Sequence, residues 1–174
     1  MIINWEIISM HESSHYVAVQ HVFNESKILI PEKVVLNINH KNGEPLGKCC
    51  YSVNNLDFID NTCLLYKFKE AEIFVYTAGI AADSYFYNLK WDEHGQADFI
   101  FLVNILGLSG TTEEIEKTVT WISQPEITKD IKTIAEALLN SKSGELTAIE
   151  IDMLLRLKHM EELRMLKEMV EDDQ

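Results

Sequence analysis

Near its N-terminus the chain reads His11-Glu12-Ser13-Ser14-His15, and this pentapeptide constrains the fold more than any other stretch. Two histidines four residues apart share one face on an α-helix, where both imidazoles can reach a single ion. Glu12 follows the first histidine by one position, projects beside that ion and can take a proton from a water held there. The pattern therefore specifies a ligand pair, a base and the helix that carries them. No glycine or proline interrupts the chain from Asn4 or Trp5 to about Phe23, so the helix is predicted over that span. Ile7, Ile8, Tyr16, Val17, Ala18, Val19 and Val22 make it apolar on most sides, which predicts a buried helix rather than an exposed one that happens to carry two histidines. Buried imidazoles and a buried carboxylate need partners, and a metal cation supplies one.

The rest of the chain must fold around that helix. With 174 residues a single domain, 1–174, is expected, divided into a metal site and sheet (about 1–110) and C-terminal helices (about 111–174). Hydrophobic residues at 47% and charged residues at 25% fit an ordinary water-soluble protein. No apolar run approaches the ~20 residues of a membrane-spanning helix and no basic, cleavable leader is recognisable, so a cytoplasmic location is expected. The net charge of -13, from 28 acids against 15 bases, argues against nucleic acid or an anionic membrane as a partner. Adjacent Cys49 and Cys50, with Cys63 apart, make neither a disulfide framework nor a paired zinc spacing and are expected to be reduced. No Gly-x-x-x-x-Gly-Lys-Ser/Thr loop occurs, so the chain carries no ATP-binding loop of that kind.

After the first helix, Pro31 opens an extended segment, Lys33 to Asn39, in which Val34, Leu36 and Ile38 alternate with Val35, Asn37 and Asn39. Asn42-Gly43 signals a tight turn, and Gly47 to Val53 is the predicted return strand of a hairpin. Asn54 to Thr62 has no clear period and reads as a mobile loop. A second helix, about Tyr66 to Tyr87, carries Ala78-Gly79-Ile80-Ala81-Ala82, small residues that let the metal helix pack closely. Beyond the polar segment Asn88 to Gly95, the run from Asp98 to Gly107 is apolar on nearly every side, which predicts a central core helix stopped by Gly107. Thr111-x-x-Glu114 and Thr147-x-x-Glu150 read as capping boxes, and with Pro125 and Gly144 they mark three further helices, roughly 112–123, 126–141 and 146–171, with a frayed tail from Glu171 to Gln174. The fold class so predicted is α+β, mostly α, with a small antiparallel sheet.

A third metal ligand is needed, and the spacing alone leaves it open. His21 stands ten residues after His11, as in the longer motif His-Glu-x-x-His-x-x-Gly-x-x-His, but Ala18 occupies the glycine position and favours continued helix. On a continuous helix His21 lies ~15 Å along the axis from His11, too far to share one ion. Glu25, Asp83, His94 and Asp98 are the other candidates. Asp98 heads its helix, where an acid serves equally well as a cap.

The whole pattern resembles the peptidase domain of the FtsH family of ATP-dependent zinc proteases. His11-Glu12-Ser13-Ser14-His15 is similar to that family's His-Glu-x-Gly-His, and Lys33-Val34-Val35-Leu36-Asn37-Ile38 with Leu46-Gly47 resembles its strand and Leu-Gly return. Ala78-Gly79-Ile80-Ala81-Ala82-Asp83 resembles its Gly-Arg-Ala-Ala-Glu-Glu, and Gly95-Gln96-Ala97-Asp98 the glycine-led segment ending in Asn-Asp. Ile134-Ala135-Glu136-Ala137-Leu138-Leu139 and the Leu146 region resemble its closing helices. The resemblance implies His11, His15 and Asp98 as zinc ligands, Glu12 as general base and hydrolysis of peptide bonds. It also implies that Val34, Val35, Leu36, Asn37 and Ile38 form the edge strand that pairs with an extended substrate. Ser14, Ile80, Ser84 and Ala97 depart from the family's residues, and its ATPase module and membrane segments have no counterpart here. Those departures raise an alternative expectation, a metal-bound but catalytically idle domain that binds unfolded chains or a separate partner protein. Finally, Leu155, Met160, Leu163, Leu166 and Met169 form an apolar stripe on a last helix of ~36 Å, longer than one small core requires, so self-association, with a dimer favoured, is expected through it.

Overall fold

The metal-motif helix is realised as α1 (Trp5–Ser26) in a computed structural model that describes residues 4–38, 45–54, 62–90 and 95–172. Asn4 caps it, its side chain accepting from the Glu6 amide at 3.2 Å. Lys27 ends it in the left-handed conformation, its N–H donating to the Phe23 carbonyl at 3.1 Å. From Ser9 to Val19 all residues but His11 are buried, as the apolar flanks predict. The small Ser13 and Ser14 admit neighbouring elements, and the Ser14 hydroxyl satisfies itself by donating to the Met10 carbonyl at 2.7 Å.

Around α1 the order continues β1 (Leu29–Ile38), β2 (Pro45–Val53), α2 (Thr62–Tyr87), α3 (Gln96–Ile122), α4 (Pro125–Asn140), β3 (Glu145–Thr147) and α5 (Ala148–Asp172). The fold is α+β and mostly α, with a three-stranded antiparallel sheet, as expected. α1 packs against α2, α4 and the β1–β2 hairpin, while α3 reaches the rest mainly through α2. In α4, Pro125 opens the first turn and Ile131, Ile134, Ala135 and Leu138 fall on one face, which closes the core over Met10, Val17 and Ile151. No helix among the described residues is long and apolar enough to cross a membrane.

Three expectations need correction. First, the sheet order is β2-β1-β3, so β1 is the central strand. It pairs with β2 along its length and with β3 at Lys33–Thr147, Val34–Leu146 and Val35–Glu145, and the Leu36 amide donates to the Gly144 carbonyl at 2.7 Å. Val34, Val35 and Leu36 therefore have no free edge for a substrate, and the edge role fails for these three; Asn37 and Ile38 pair with Leu46 and Pro45 of β2. The cause is β3, three residues too short to show as a strand in sequence; Gly144 makes its approach possible, since a Cβ there would lie 2.5 Å from the Leu36 carbonyl oxygen. Second, the apolar start of α3 is not central: Leu102 is fully buried, but Ile100 and Leu108 are 59% and 63% exposed, because only one side of α3 faces α2. Gly107 does stop the first part of α3, as predicted: its backbone is non-helical (φ 71, ψ 169) and joins two helical segments across a kink. Third, Thr111 is not an N-cap; it lies inside the helical segment that follows Gly107, and its hydroxyl donates to the Gly107 carbonyl at 2.9 Å.

The Thr147 box, in contrast, forms as read. The Thr147 amide donates to Glu150 Oε2 at 2.8 Å, and the Glu150 amide to Thr147 Oγ1 at 3.3 Å. Beyond it α5 buries Ile151 but leaves Met160 and Leu163 65% and 55% exposed, so part of the expected stripe does lie outside the core. The Asn42-Gly43 turn, nearly all of the 54–62 loop, His94 and the last two residues of the tail lie outside the described residues, as do the side chains of Leu166 and Met169; Glu171 and Asp172 are helical in backbone.

Candidate metal centre

Helical spacing brings His11 and His15 together on α1, their Nε2 atoms 3.0 Å apart. The third group is Asp98. Its Oδ2 lies 3.0 Å from His11 Nε2 and 3.1 Å from His15 Nε2. Gly95 is the N-cap of α3 in the left-handed conformation (φ 64), and no side chain caps the helix, so Asp98 in the first turn is aimed at the histidines instead of at its own backbone. The capping alternative for Asp98 is thereby removed. His11, His15 and Asp98 form a group of metal-ligating type whose atoms converge on one point.

The outer nitrogens of both rings are engaged. His15 Nδ1 is 2.7 Å from the Val75 carbonyl, which can only accept, so that nitrogen carries the proton and Nε2 presents its lone pair inward. His11 Nδ1 is 2.9 Å from Asp83 Oδ2, the same arrangement with a carboxylate in place of the carbonyl. Two inward lone pairs and a carboxylate oxygen at about 3 Å repel one another unless a cation sits among them. A tetrahedral ion bonded at 2.0–2.1 Å would hold its ligand atoms roughly 3.3 Å apart, so the donor set fits one with only a slight expansion. Without a metal, a proton takes that place. Burial acts to lower the His11 pKa, but the hydrogen bonds to Asp83 and Asp98 outweigh it and hold the ring well above its ordinary value. Burial likewise acts to raise Asp98, and the two imidazoles overcome it and hold the carboxyl far below the usual carboxylate range.

Three glycines make room for this cluster. A Cβ on Gly79 of α2 would stand 2.5 Å from His15 Nε2 and 2.6 Å from His11 Nε2, and one on Gly95 would stand 3.1 Å from His11 Cε1. Gly47 of β2 lies against Glu12, where a Cβ would fall 2.6 Å from Oε1. Glu12 is thus held between α1 and the strand, beside the ligands, and lines a cleft of about 250 Å³ with His15, Gly47, Lys48, Cys49, Tyr51, Tyr76 and Asp98. Sequence reasoning ascribed the small residues at 78–82 to ordinary tight packing; for Gly79 the reason is the site itself. It also missed Asp83 as the outer partner of His11, although the carboxylate was a ligand candidate.

The remaining candidates fall elsewhere. His21 is 40% exposed, pairs with Glu25 at 3.2 Å and packs on Phe74 and Trp121. Both line a roomier cleft of about 470 Å³ with Lys67, Glu70 and Phe74 that contains none of the three converging groups. None of Cys49, Cys50 and Cys63 is in a disulfide among the described residues. No known family model matches the chain, and no curated protein matches it.

Proposed function

We propose that this protein is a zinc-dependent metallopeptidase, similar in its site to the peptidase domains of the FtsH family, with His11, His15 and Asp98 as ligands and Glu12 as general base. The observation that carries the reading is the convergence of two lone-pair nitrogens and a carboxylate oxygen at 3.0–3.1 Å with Glu12 in the adjoining cleft. Two histidines and one carboxylate also suit iron(II), and Glu12 beside them is what favours hydrolysis over oxygen chemistry. Zinc bound there would polarise a peptide carbonyl and acidify a neighbouring water. Glu12 Oε takes the proton of the attacking water as the C–O bond forms, then returns it to the amide nitrogen as the C–N bond breaks, leaving a carboxylic acid and an amine.

The strand that receives an extended peptide in this reading is β2. It is an edge of the sheet, and its consecutive residues Gly47, Lys48 and Cys49 line the cleft with Glu12. Main-chain pairing there would tolerate many sequences. Incubation of the zinc-loaded protein with casein tests the proposal. Cleavage abolished by chelator and by Glu12→Gln, with zinc retained in that variant, is expected; stoichiometric zinc with casein bound but uncut would establish the idle binding domain in its place.

A further inference from the structure

Tyr76 and Tyr51 enter the same cleft as Glu12, His15 and Asp98 from two different elements, α2 and β2. The Tyr76 ring is fixed on both sides. It lies against Phe101 with centroids 4.2 Å apart and edge-on to His15 at 6.5 Å. A phenylalanine would make both contacts, so packing does not account for the hydroxyl. The Tyr51 and Tyr76 hydroxyls pair with each other, and since either can donate, Tyr76 can accept from Tyr51 and keep its own proton to give. An ordinary tyrosine titrates at about 10, so the Tyr76 phenol is a neutral donor at physiological pH. Glu12 is an acceptor when ionised, and the ligands are committed to the ion; among the lining side chains that leaves the two tyrosines, Lys48 and the weak donor Cys49 for a carbonyl oxygen that gains charge.

Resting on the peptidase reading above, we propose that the Tyr76 hydroxyl is a catalytic residue that donates a hydrogen bond to the scissile carbonyl oxygen as it becomes anionic, with Tyr51 as the positioning residue that orients it. Such a donor acts mainly on the charged, tetrahedral form, so its loss should lower kcat about 10²–10³-fold with little change in KM.

Binding tests this without turnover. The probe is an alanine tetrapeptide whose central amide is replaced by a phosphinate, titrated calorimetrically into zinc-loaded protein. Tyr76→Phe should weaken the phosphinate by about 10²-fold or more while zinc content and near-UV circular dichroism stay as in the wild type. Tyr51→Phe should weaken it by less. The plain tetrapeptide, titrated into Glu12→Gln with and without Tyr76→Phe, should show no difference. Equal phosphinate affinity in wild type and Tyr76→Phe overturns the role of Tyr76 alone. A zinc-loaded wild type that binds no phosphinate overturns the peptidase reading beneath it.

Discussion

Gly79→Ala is the substitution that asks most of the site and least of the fold. The added Cβ would meet His15 Nε2 at 2.5 Å and His11 Nε2 at 2.6 Å, where ordinary contact begins near 3.4 Å. The rings must therefore retreat by about 1 Å, and they are pinned from behind, His15 by the Val75 carbonyl at 2.7 Å and His11 by Asp83 at 2.9 Å. Metal–ligand distances tolerate about ±0.2 Å, so a displacement of that size removes the tetrahedral geometry. Stability is affected far less. Alanine gains about 1 kcal/mol over glycine in a helix interior, against about 1–3 kcal/mol for overpacking, a net loss between roughly 0 and 2 kcal/mol. In a domain of this size that lowers Tm by at most about 8 °C. Competition with a chromophoric chelator, alongside thermal melting of the metal-free protein, separates the two effects. We expect zinc affinity to fall by about 10²-fold or more while the metal-free variant still melts cooperatively. Wild-type affinity in Gly79→Ala would refute the reasoning, because it would mean that the imidazoles do not hold the ion from the positions described.

Other substitutions probe separate links. Asp83→Asn removes the carboxylate behind His11 and should weaken zinc about 10–100-fold in the same competition assay, with the fold retained by circular dichroism. Thr147→Ala deletes the two bonds between the Thr147 hydroxyl and Glu150, keeps the one from the Thr147 amide, and should cost about 1 kcal/mol in a denaturant titration, leaving zinc affinity unchanged. Leu163→Asp introduces a charge on the exposed stripe of α5; sedimentation at micromolar concentration should show a wild-type dimer dispersed by the substitution, and a 20.0 kDa wild-type monomer would end the expectation of self-association.

Much of this architecture is legible in the sequence because it follows from periodicities and local chemistry. The uninterrupted apolar flanks of His11-Glu12-Ser13-Ser14-His15 suffice to predict α1, its burial and the shared face of the two histidines. Thr147 and Glu150 announce the start of α5, since a capping box involves only near neighbours. What stays hidden depends on contacts distant in sequence. β3 is three residues long and exists through its pairing with β1, so β1 reads as an edge when the hairpin alone is considered. The helix around Ile100 and Leu108 looks central because apolar content does not reveal how many neighbours a helix has. Gly79 reads as a packing residue because nothing local shows that it faces two imidazoles from another helix. Spacing alone cannot choose between a cap and a ligand for Asp98; the residues resembling an FtsH-type segment point to a ligand, and the 3.0 Å approach to His11 Nε2 places it with the histidines.

The central claim is that His11, His15 and Asp98 hold one zinc ion, and elemental analysis of protein purified without chelator tests it most directly. The account predicts one zinc per chain in the wild type and in Glu12→Gln, and its loss in Asp98→Ala. A wild type carrying iron or no metal, or an Asp98→Ala variant that keeps a full equivalent of zinc, would contradict it.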